Sequence, residues 1–315
     1  MSRRPILCVL SVAVFVMLAA PRAGATPAAC GAHGTRETML VSTSWLADHL
    51  HDANLVILSV GDKKDYDQAH IPRARWLDYM ATHAMSVDSG GYKLTLELLP
   101  PEELAAVLGK LGVSNDSRII LYRSDDSYAP VARIYMTLDA MGFGAHAAIL
   151  DGGFSLWSKE SRPVTADVPQ FAAQTVTFCP VKDVIAKLPE VTADLHHSGV
   201  AIVDARLPQY YTGAEQGIGQ SRGHIPGAGN LPYTSLFDAD GKFKSPADLQ
   251  ALFQNAGVKP GDHIIAYCHI GQQASSVYFA ARYLGYDVRL FDGSWEEWSA
   301  HKELPVETSP SDSHL

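Results

Sequence analysis

The chain has few cysteines and no concentration of positive charge. Four of its 315 residues are cysteine, and 25 Lys and Arg residues are outnumbered by 34 Asp and Glu residues, for a net charge of −9. Without a long Lys or Arg run, this acidic balance argues against nucleic acid as a partner. An apolar content of 47% indicates a well-packed globular protein. At this length, we expect two domains of ordinary size.

The longest apolar run lies near the N-terminus and is too short to span a bilayer comfortably. Two arginines precede the run, which covers residues 6–20 and is followed by small residues at 23–25. This order is typical of a signal peptide. We therefore expect cleavage of residues 1–25 and export, to the periplasm if the source is Gram-negative, with no membrane association afterwards. A lipid at Cys30 is disfavoured, because this residue lies ten positions beyond the run.

Removal of the signal peptide would leave an odd number of cysteines. Cys8 would be lost, and Cys30, Cys179 and Cys268 would remain. An odd number leaves at least one thiol free, and compartments outside the cytosol tolerate disulfides. We expect that Cys30 and Cys179, each near the start of one domain, form a disulfide while Cys268 stays free.

Cys268 ends a strand-like apolar run and precedes a loop that contains Gly271. The residues after this loop predict a helix over 274–284, whose free N–H groups would face the sulfur. Helix N-termini favour anions, so we expect the pKa of this thiol to lie below the free value of about 8.5. The alternative is a structural cysteine in the core. The polar residues Gln272 and Gln273 argue against that alternative.

A long internal repeat indicates that the chain is a duplicated domain. The matched blocks are 55–59 with 200–204, 70–72 with 224–226, 99–104 with 244–249, 118–122 with 263–267, and 149–153 with 290–294. Strands alternate with helices in both halves, which predicts an α/β fold with a mainly parallel sheet flanked by helices in each. We expect domains at 38–160 and 181–308, joined by a linker at 161–180.

The two halves differ at the position of the cysteine. Alignment of the repeats places Arg123 where the second half has Cys268, so only the second copy can perform cysteine chemistry. The polar loop after Arg123, which includes Asp125, either helps to bind a substrate or is merely solvated. The glycine-rich segment 213–223 exists only in the second half, and we expect it to lie over the site.

Together these features resemble the tandem-domain rhodanese family of sulfurtransferases. The likeness covers roughly residues 41–306 and rests on the duplication and on short motifs. These motifs are Asp204-Ala205-Arg206, Gly223-His224-Ile225-Pro226-Gly227-Ala228, Tyr267-Cys268 with its loop, and Asp292-Gly293-Ser294. The resemblance implies transfer of a sulfane sulfur from a small donor such as thiosulfate to a thiol or cyanide-like acceptor. A Cys268 persulfide would carry the sulfur, no cofactor would be needed, and the first domain would be inactive.

The resemblance also implies a set of site residues around Cys268. The expected donor-binding residues are His269, Ile270, Gly271, Gln272, Gln273, Arg206, Arg222 and Tyr210, and the expected orienting residues are Asp204 and His224. Thiosulfate-using members carry cations in the loop and an arginine at the Tyr210 position, so we expect weaker anion recognition here. Arg206 could instead pair with a local carboxylate. No metal is expected, because His196 and His197 lack further ligands at zinc-site spacing.

Two other functions compete with sulfur transfer by an enzyme. A cysteine phosphatase needs an arginine six residues after its cysteine to clamp the phosphate, and Ala274 stands there. An exported sulfur carrier, or a redox-responsive binding protein that uses Cys268, stays open. Multiple turnovers would support the enzyme, whereas one retained sulfur would support the carrier.

Overall fold

The computed structural model describes residues 31–88, 90–124 and 128–309, and it divides into two α/β halves. The predicted signal peptide, Cys30 and Asp125 lie outside the described residues. The strands of the first half are β1 (Leu40–Val41), β2 (Leu55–Val60), β3 (Arg75–Leu77), β4 (His83–Val87), β5 (Lys93–Leu98), β6 (Arg118–Arg123) and β7 (Ala147–Leu150). Its helices are α1 (Arg36–Met39), α2 (Thr43–His49), α3 (Lys63–Gln68), α4 (Pro101–Lys110), α5 (Ala129–Ala140) and α6 (Gly153–Lys159).

The second half repeats this order of elements in a shorter form. Its strands are β8 (Ile185–Ala186), β9 (Val200–Asp204), β10 (Gly229–Asn230), β11 (His263–Tyr267) and β12 (Val288–Phe291). Its helices are α7 (Leu188–Ala193), α8 (Pro208–Tyr211), α9 (Pro246–Asn255), α10 (Ala274–Leu284) and α11 (Ser294–Ala300). Short 3-10 turns occur at Met80–Thr82, Gly144–His146, Lys182–Val184 and Tyr233–Leu236.

Each half contains a five-stranded sheet in which every pairing is parallel. The strand order is β1-β7-β6-β2-β3 in the first half and β8-β12-β11-β9-β10 in the second, so the two sheets have the same topology. Central strands of such sheets are covered on both faces and therefore read as continuous apolar runs. β2, for example, is buried along its whole length. The predicted fold and its duplication are confirmed.

An antiparallel hairpin, β4 with β5, lies outside both parallel sheets and was not predicted by sequence analysis. It lies between β3 and α4 and reaches the second half. There, Thr95 donates to Glu296, and the Leu98 amide donates to Asp292 Oδ2 at 3.2 Å. The hairpin therefore carries groups of the first half to the turn that follows β12.

Helix α5 lies at the boundary between the halves and is buried at every position except Pro130. It packs against α10 across the boundary. The ring of Tyr135 from α5 contacts the ring of Phe279 from α10 edge-on, with 4.7 Å between the ring centroids. Asp139 of α5 accepts a hydrogen bond from Tyr278 at 2.6 Å. Burial on all sides explains why this helix lacks a polar face. Across the described part of the chain, no helix is both long and apolar enough to cross a membrane.

The expected linker contains neither helix nor strand over residues 161–180 and runs along the first half. Thr165 pairs with His70 in an isolated bridge, and the Cys179 amide donates to Met141. Val176 and Phe178 are buried in the first core. The segment is therefore attached to the first half by its backbone and by apolar side chains.

Cys179 is disulfide-bonded, and Cys268 is the free cysteine of the described residues. Pairing with Cys30 stays a prediction, because Cys30 lies outside them. In denaturant, a chain that lacks residues 1–25 should take up one alkyl group before reduction and three after it. Intact mass measures both numbers, and three groups before reduction would exclude the bridge.

Candidate active site

Cys268 stands at the carboxyl end of β11, directly before the loop that leads into α10. Its amide donates to Ser294 Oγ at 3.2 Å, and its carbonyl accepts from the Trp295 amide at 2.9 Å. Ligands of parallel α/β sheets gather at this edge. The cysteine backbone is thus fixed to the turn after β12, at the edge where a site is expected.

Gly271 allows the cysteine loop to turn, and the space around it is also too small for any other residue. Its φ is +79°, a conformation that glycine adopts without strain. A Cβ there would lie 2.9 Å from both Arg133 Nη1 and Asp292 Oδ1. Two constraints therefore require glycine here, namely the turn of the loop and the close approach of an arginine from the other half. Donor binding by Gly271 stays a prediction.

The Cys268 side chain is fully buried, with 0% of its surface exposed, and it packs in the core of the second half, a position that sequence analysis disfavoured. Burial raises the pKa of this thiol above its ordinary value. The amides of Ala274, Ile270 and Gln273 favour the thiolate, but they only partly offset that rise. The expected lowering of the pKa was therefore wrong. The predicted amides are present, yet desolvation outweighs them.

The glycine-rich segment 213–223 lies against the cysteine loop, as predicted. His269 Nδ1 donates to Gln220 Oε1 at 2.8 Å, and Gln220 Nε2 donates back to the His269 carbonyl at 3.1 Å. Burial, together with nearby Arg206, lowers the pKa of His269 to about 4, so its ring is neutral at neutral pH. Tyr210 meets that ring edge-on at 4.7 Å.

Arg206 forms a buried ion pair with Asp204, which is the alternative that the sequence left open. Arg206 Nη2 lies 2.5 Å from Asp204 Oδ2, and Nε donates to both carboxylate oxygens at 3.0 Å. The guanidinium also lies 4.7 Å from the centre of the Trp295 ring and donates to the Gly223 carbonyl. The positive charge of Arg206 is close enough to Cys268 to interact with a thiolate, but the negative charge of Asp204 neutralises it.

Arg222 is exposed and stabilises the base of the glycine-rich segment. Its Nη1 donates to the carbonyls of Gly213 and Ala214 at 2.8 and 2.5 Å. The prediction that Arg222 grips the donor is therefore not supported by its contacts. Arg222 does donate hydrogen bonds to oxygen atoms, as expected for an anion-binding arginine. These oxygens, however, are backbone carbonyls of its own loop rather than atoms of a donor.

His224 occupies a structural position that is repeated in the first half. Its Nδ1 donates to the Tyr211 carbonyl at 2.7 Å, and its ring stacks on Tyr211 at 3.8 Å. His70 makes the same contacts with Tyr66, at the same two distances. Because the half without the cysteine builds the same arrangement, it serves the fold of each half rather than the chemistry of one.

The comparisons with known proteins agree with this geometry. The family model for the rhodanese-like domain matches the chain twice, at residues 42–160 and 188–301. The chain belongs to the rhodanese family. The sulfur carrier protein TtuD of Thermus thermophilus is 30% identical and covers 85% of this chain and 96% of its own length. The thiosulfate sulfurtransferase of Cricetulus griseus is 32% identical, with 86% of this chain and 95% of that protein covered.

Solved structures show the same fold. The 3-mercaptopyruvate sulfotransferase SseA from Escherichia coli superimposes with a TM-score of 0.71 at 28% identity, over 82% of this chain and 99% of SseA. YnjE superimposes with a TM-score of 0.77 at 24% identity, over 87% of this chain and 68% of YnjE, and shows the fold alone. SseA and the relatives from Thermus thermophilus and Cricetulus griseus support sulfur transfer as the general activity of this tandem rhodanese.

The first rhodanese domain contributes Arg133 to the cysteine loop, which sequence analysis missed. Arg133 is fully buried, and its Nη1 lies 2.5 Å from Asp292 Oδ1. Its Nε donates to His83 Nε2 at 3.3 Å, and its Nη2 donates to the Leu96 carbonyl. Burial lowers the pKa of His83 to about 4, so a neutral ring accepts this bond. A lone arginine within the apolar stretch of α5 was the available sequence signal.

Tyr79 is a second group that the first rhodanese domain places at the site. Its hydroxyl accepts a hydrogen bond from Gln272 Nε2 at 2.9 Å. Burial raises the pKa of Tyr79 to about 12, and the phenol is close enough to interact with a Cys268 thiolate. No pattern in the sequence singled out this residue, because only the packing of the two domains brings it to the loop.

Arg123, the counterpart of Cys268, occupies the corresponding end of the first sheet. It borders a small cavity of about 20 Å³ together with Asp151 and Phe243, and its guanidinium lies 3.8 Å from the Tyr128 ring centre. Asp151 accepts from the Phe243 amide at 2.9 Å, much as Asp292 accepts from Leu98.

The described residues contain no group of three or more His, Cys, Asp or Glu side chains that could hold a metal.

Replacement of Arg133 by alanine should reduce the free energy of unfolding by about 3–5 kcal/mol, because Asp292 would keep a buried charge without its partner. Urea unfolding followed by tryptophan fluorescence measures this change. Lys159→Ala is the matched control, since it removes an exposed ion pair between the same two domains. It should leave the unfolding midpoint unchanged, and equal effects of both substitutions would contradict the assignment.

Proposed function

We propose that this protein is a sulfurtransferase in which Cys268 accepts a sulfane sulfur as a persulfide and passes it to a thiophilic acceptor. The convergence of the Ala274, Ile270 and Gln273 amides on the Cys268 sulfur carries this proposal. Amides at a helix N-terminus stabilise a soft anion without a metal or a general base. The family and its sulfur-transferring relatives support the same chemistry. Export, proposed from the N-terminal sequence, would place this chemistry outside the cytosol.

The reaction has two balanced steps. In the first step, the Cys268 thiolate attacks the outer sulfur of the donor, and the bond between that sulfur and the rest of the donor breaks. The leaving group departs with the electron pair, which gives sulfite when thiosulfate is the donor, and the cysteine becomes a persulfide anion. In the second step, a thiol or cyanide-like acceptor attacks the outer sulfur and the thiolate returns. Such covalent capture gives ping-pong kinetics.

The closed site adds one requirement to this mechanism. Because Cys268 is fully buried, the donor gains access only when neighbouring groups move aside. The hydrogen-bonded pair of Gln220 and His269 joins the glycine-rich segment to the cysteine loop. Six of the eleven residues in that segment are exposed, among them Ile218 and Arg222, so its outer side makes few contacts with the protein. Movement of this segment would open the site on the side of His269.

A sulfur carrier that does not turn over is the second candidate function. Complete burial of the sulfur favours it, because a persulfide in such a position would be protected from random acceptors. The Thermus thermophilus relative is a sulfur carrier protein. A carrier would retain one sulfur per chain until a partner protein removed it, whereas the enzyme would release many.

Cys268→Ala should abolish thiocyanate formation from a sulfane-sulfur donor and cyanide, because the group that holds the sulfur is lost. Intact mass of the wild-type protein should show one added sulfur after exposure to the donor alone. Unfolding by urea serves as the control that the variant is folded. Turnover by the variant, or added sulfur on any other residue, would contradict the proposed role of Cys268. A single retained sulfur without thiocyanate would favour the carrier.

Sulfur loading should accelerate with rising pH and should not level off below about pH 8.5, the ordinary pKa of a free thiol. Burial raises the pKa of Cys268, so the reactive thiolate is the minor form at neutral pH and gains population as the pH increases. Single-turnover loading followed by mass spectrometry between pH 6 and about 10 measures the profile. A rate that is constant from pH 7 upwards would show a lowered pKa instead.

A further inference from the structure

Two pairs of oppositely charged side chains lie around Cys268 and its loop. Arg206 is paired with Asp204, and Arg133 is paired with Asp292, both at 2.5 Å. All four side chains are buried. Each pair contributes a net charge of zero, and each arginine already directs donors to its carboxylate. Neither pair therefore supplies an unmatched positive charge to a ligand at the sulfur.

The other polar groups around the sulfur are uncharged. The loop that follows Cys268 runs from His269 to Gln273 and contains no Lys or Arg. His269 is held in its neutral form, with Nδ1–H donated to Gln220. The neutral side chains around the loop include the amides and phenols of Gln220, Gln272, Tyr79 and Tyr210 and the hydroxyls of Ser275 and Ser294. Such groups can donate hydrogen bonds to oxygen atoms, but they do not balance a full charge.

Binding of a dianionic donor would therefore bring several negative charges together beside the buried sulfur. The thiolate carries one negative charge, and thiosulfate would bring two more. Amide dipoles offset part of one charge, but burial of further unmatched charge is costly. A donor with one negative charge, or none, avoids most of this repulsion and still offers oxygens or sulfur to the amides and phenols.

We infer that the donor of this site is an organic sulfane-sulfur compound, a thiosulfonate or a hydropersulfide, with at most one negative charge, rather than the dianion thiosulfate. This inference rests on the proposed sulfur transfer through Cys268. With a hydropersulfide, the Cys268 thiolate attacks the terminal sulfur and the S–S bond of the donor breaks. The donor leaves as a thiolate, and Cys268 becomes a hydropersulfide, so neither an oxidant nor a reductant is required.

Methanethiosulfonate and thiosulfate form a matched pair of probes, since a methyl group replaces one charged oxygen. The second-order rate constant for loading sulfur onto Cys268 should be at least about tenfold larger for methanethiosulfonate, a difference of about 1.4 kcal/mol. Quenched-flow samples analysed by intact mass give both constants. Equal constants, or faster loading from thiosulfate, would overturn the inference while leaving the proposed function intact. Failure of both donors to load Cys268 would count against the proposed function itself.

A substitution that adds charge tests the electrostatic reason directly. Gln272→Lys places a cation in the cysteine loop and should raise the ratio of thiosulfate to methanethiosulfonate loading by about tenfold. Gln254→Lys is the matched control, because it adds the same charge at an exposed position on α9. It should leave the ratio unchanged. An unchanged ratio in folded Gln272→Lys, or an equal change in the control, would show that local charge does not select the donor.

Discussion

The ion pair between Arg133 and Asp292 connects the two domains at the point where the cysteine loop turns. Both side chains are buried, and both approach the position where Gly271 would carry a Cβ. The pair also joins β12 to the hairpin, since Asp292 accepts from the Leu98 amide. The domain without a thiol therefore sets the geometry of the domain that has one. Its contribution is positional, through α5 and the hairpin, rather than a second reactive group.

The same burial determines the electrostatics of the sulfur. Three loop amides favour the thiolate, yet complete desolvation raises the pKa of Cys268 further than they lower it. The charged neighbours cannot reverse this balance, because Arg206 is matched by Asp204 and Arg133 by Asp292. A site of this kind holds its sulfur in a protected, nearly neutral environment. This environment is the physical basis for both the proposed local opening and the proposed preference for donors of low charge.

Local patterns predicted much of the fold and the centre of the site. Repeated apolar blocks located the central strands of both sheets, and Gly271 marked the turn of the loop. Polar residues were harder to interpret. Arg206 and Arg222 looked alike as candidate anion-binding groups, but one is neutralised by a carboxylate two residues away and the other binds carbonyls of its own loop. A positive charge in a sequence does not show which oxygen it will contact.

The sequence by itself determined the duplicated parallel α/β architecture, because strand and helix formation follow from local apolar periodicity and from glycine and proline positions. It also determined that Cys268 would end a strand and precede a helix. The tertiary structure alone decided the exposure of the sulfur and the presence of Tyr79 and Arg133 beside the loop. These features arise where residues far apart in the chain pack together across the domain boundary, and desolvation depends on everything that surrounds an atom, which no local pattern records.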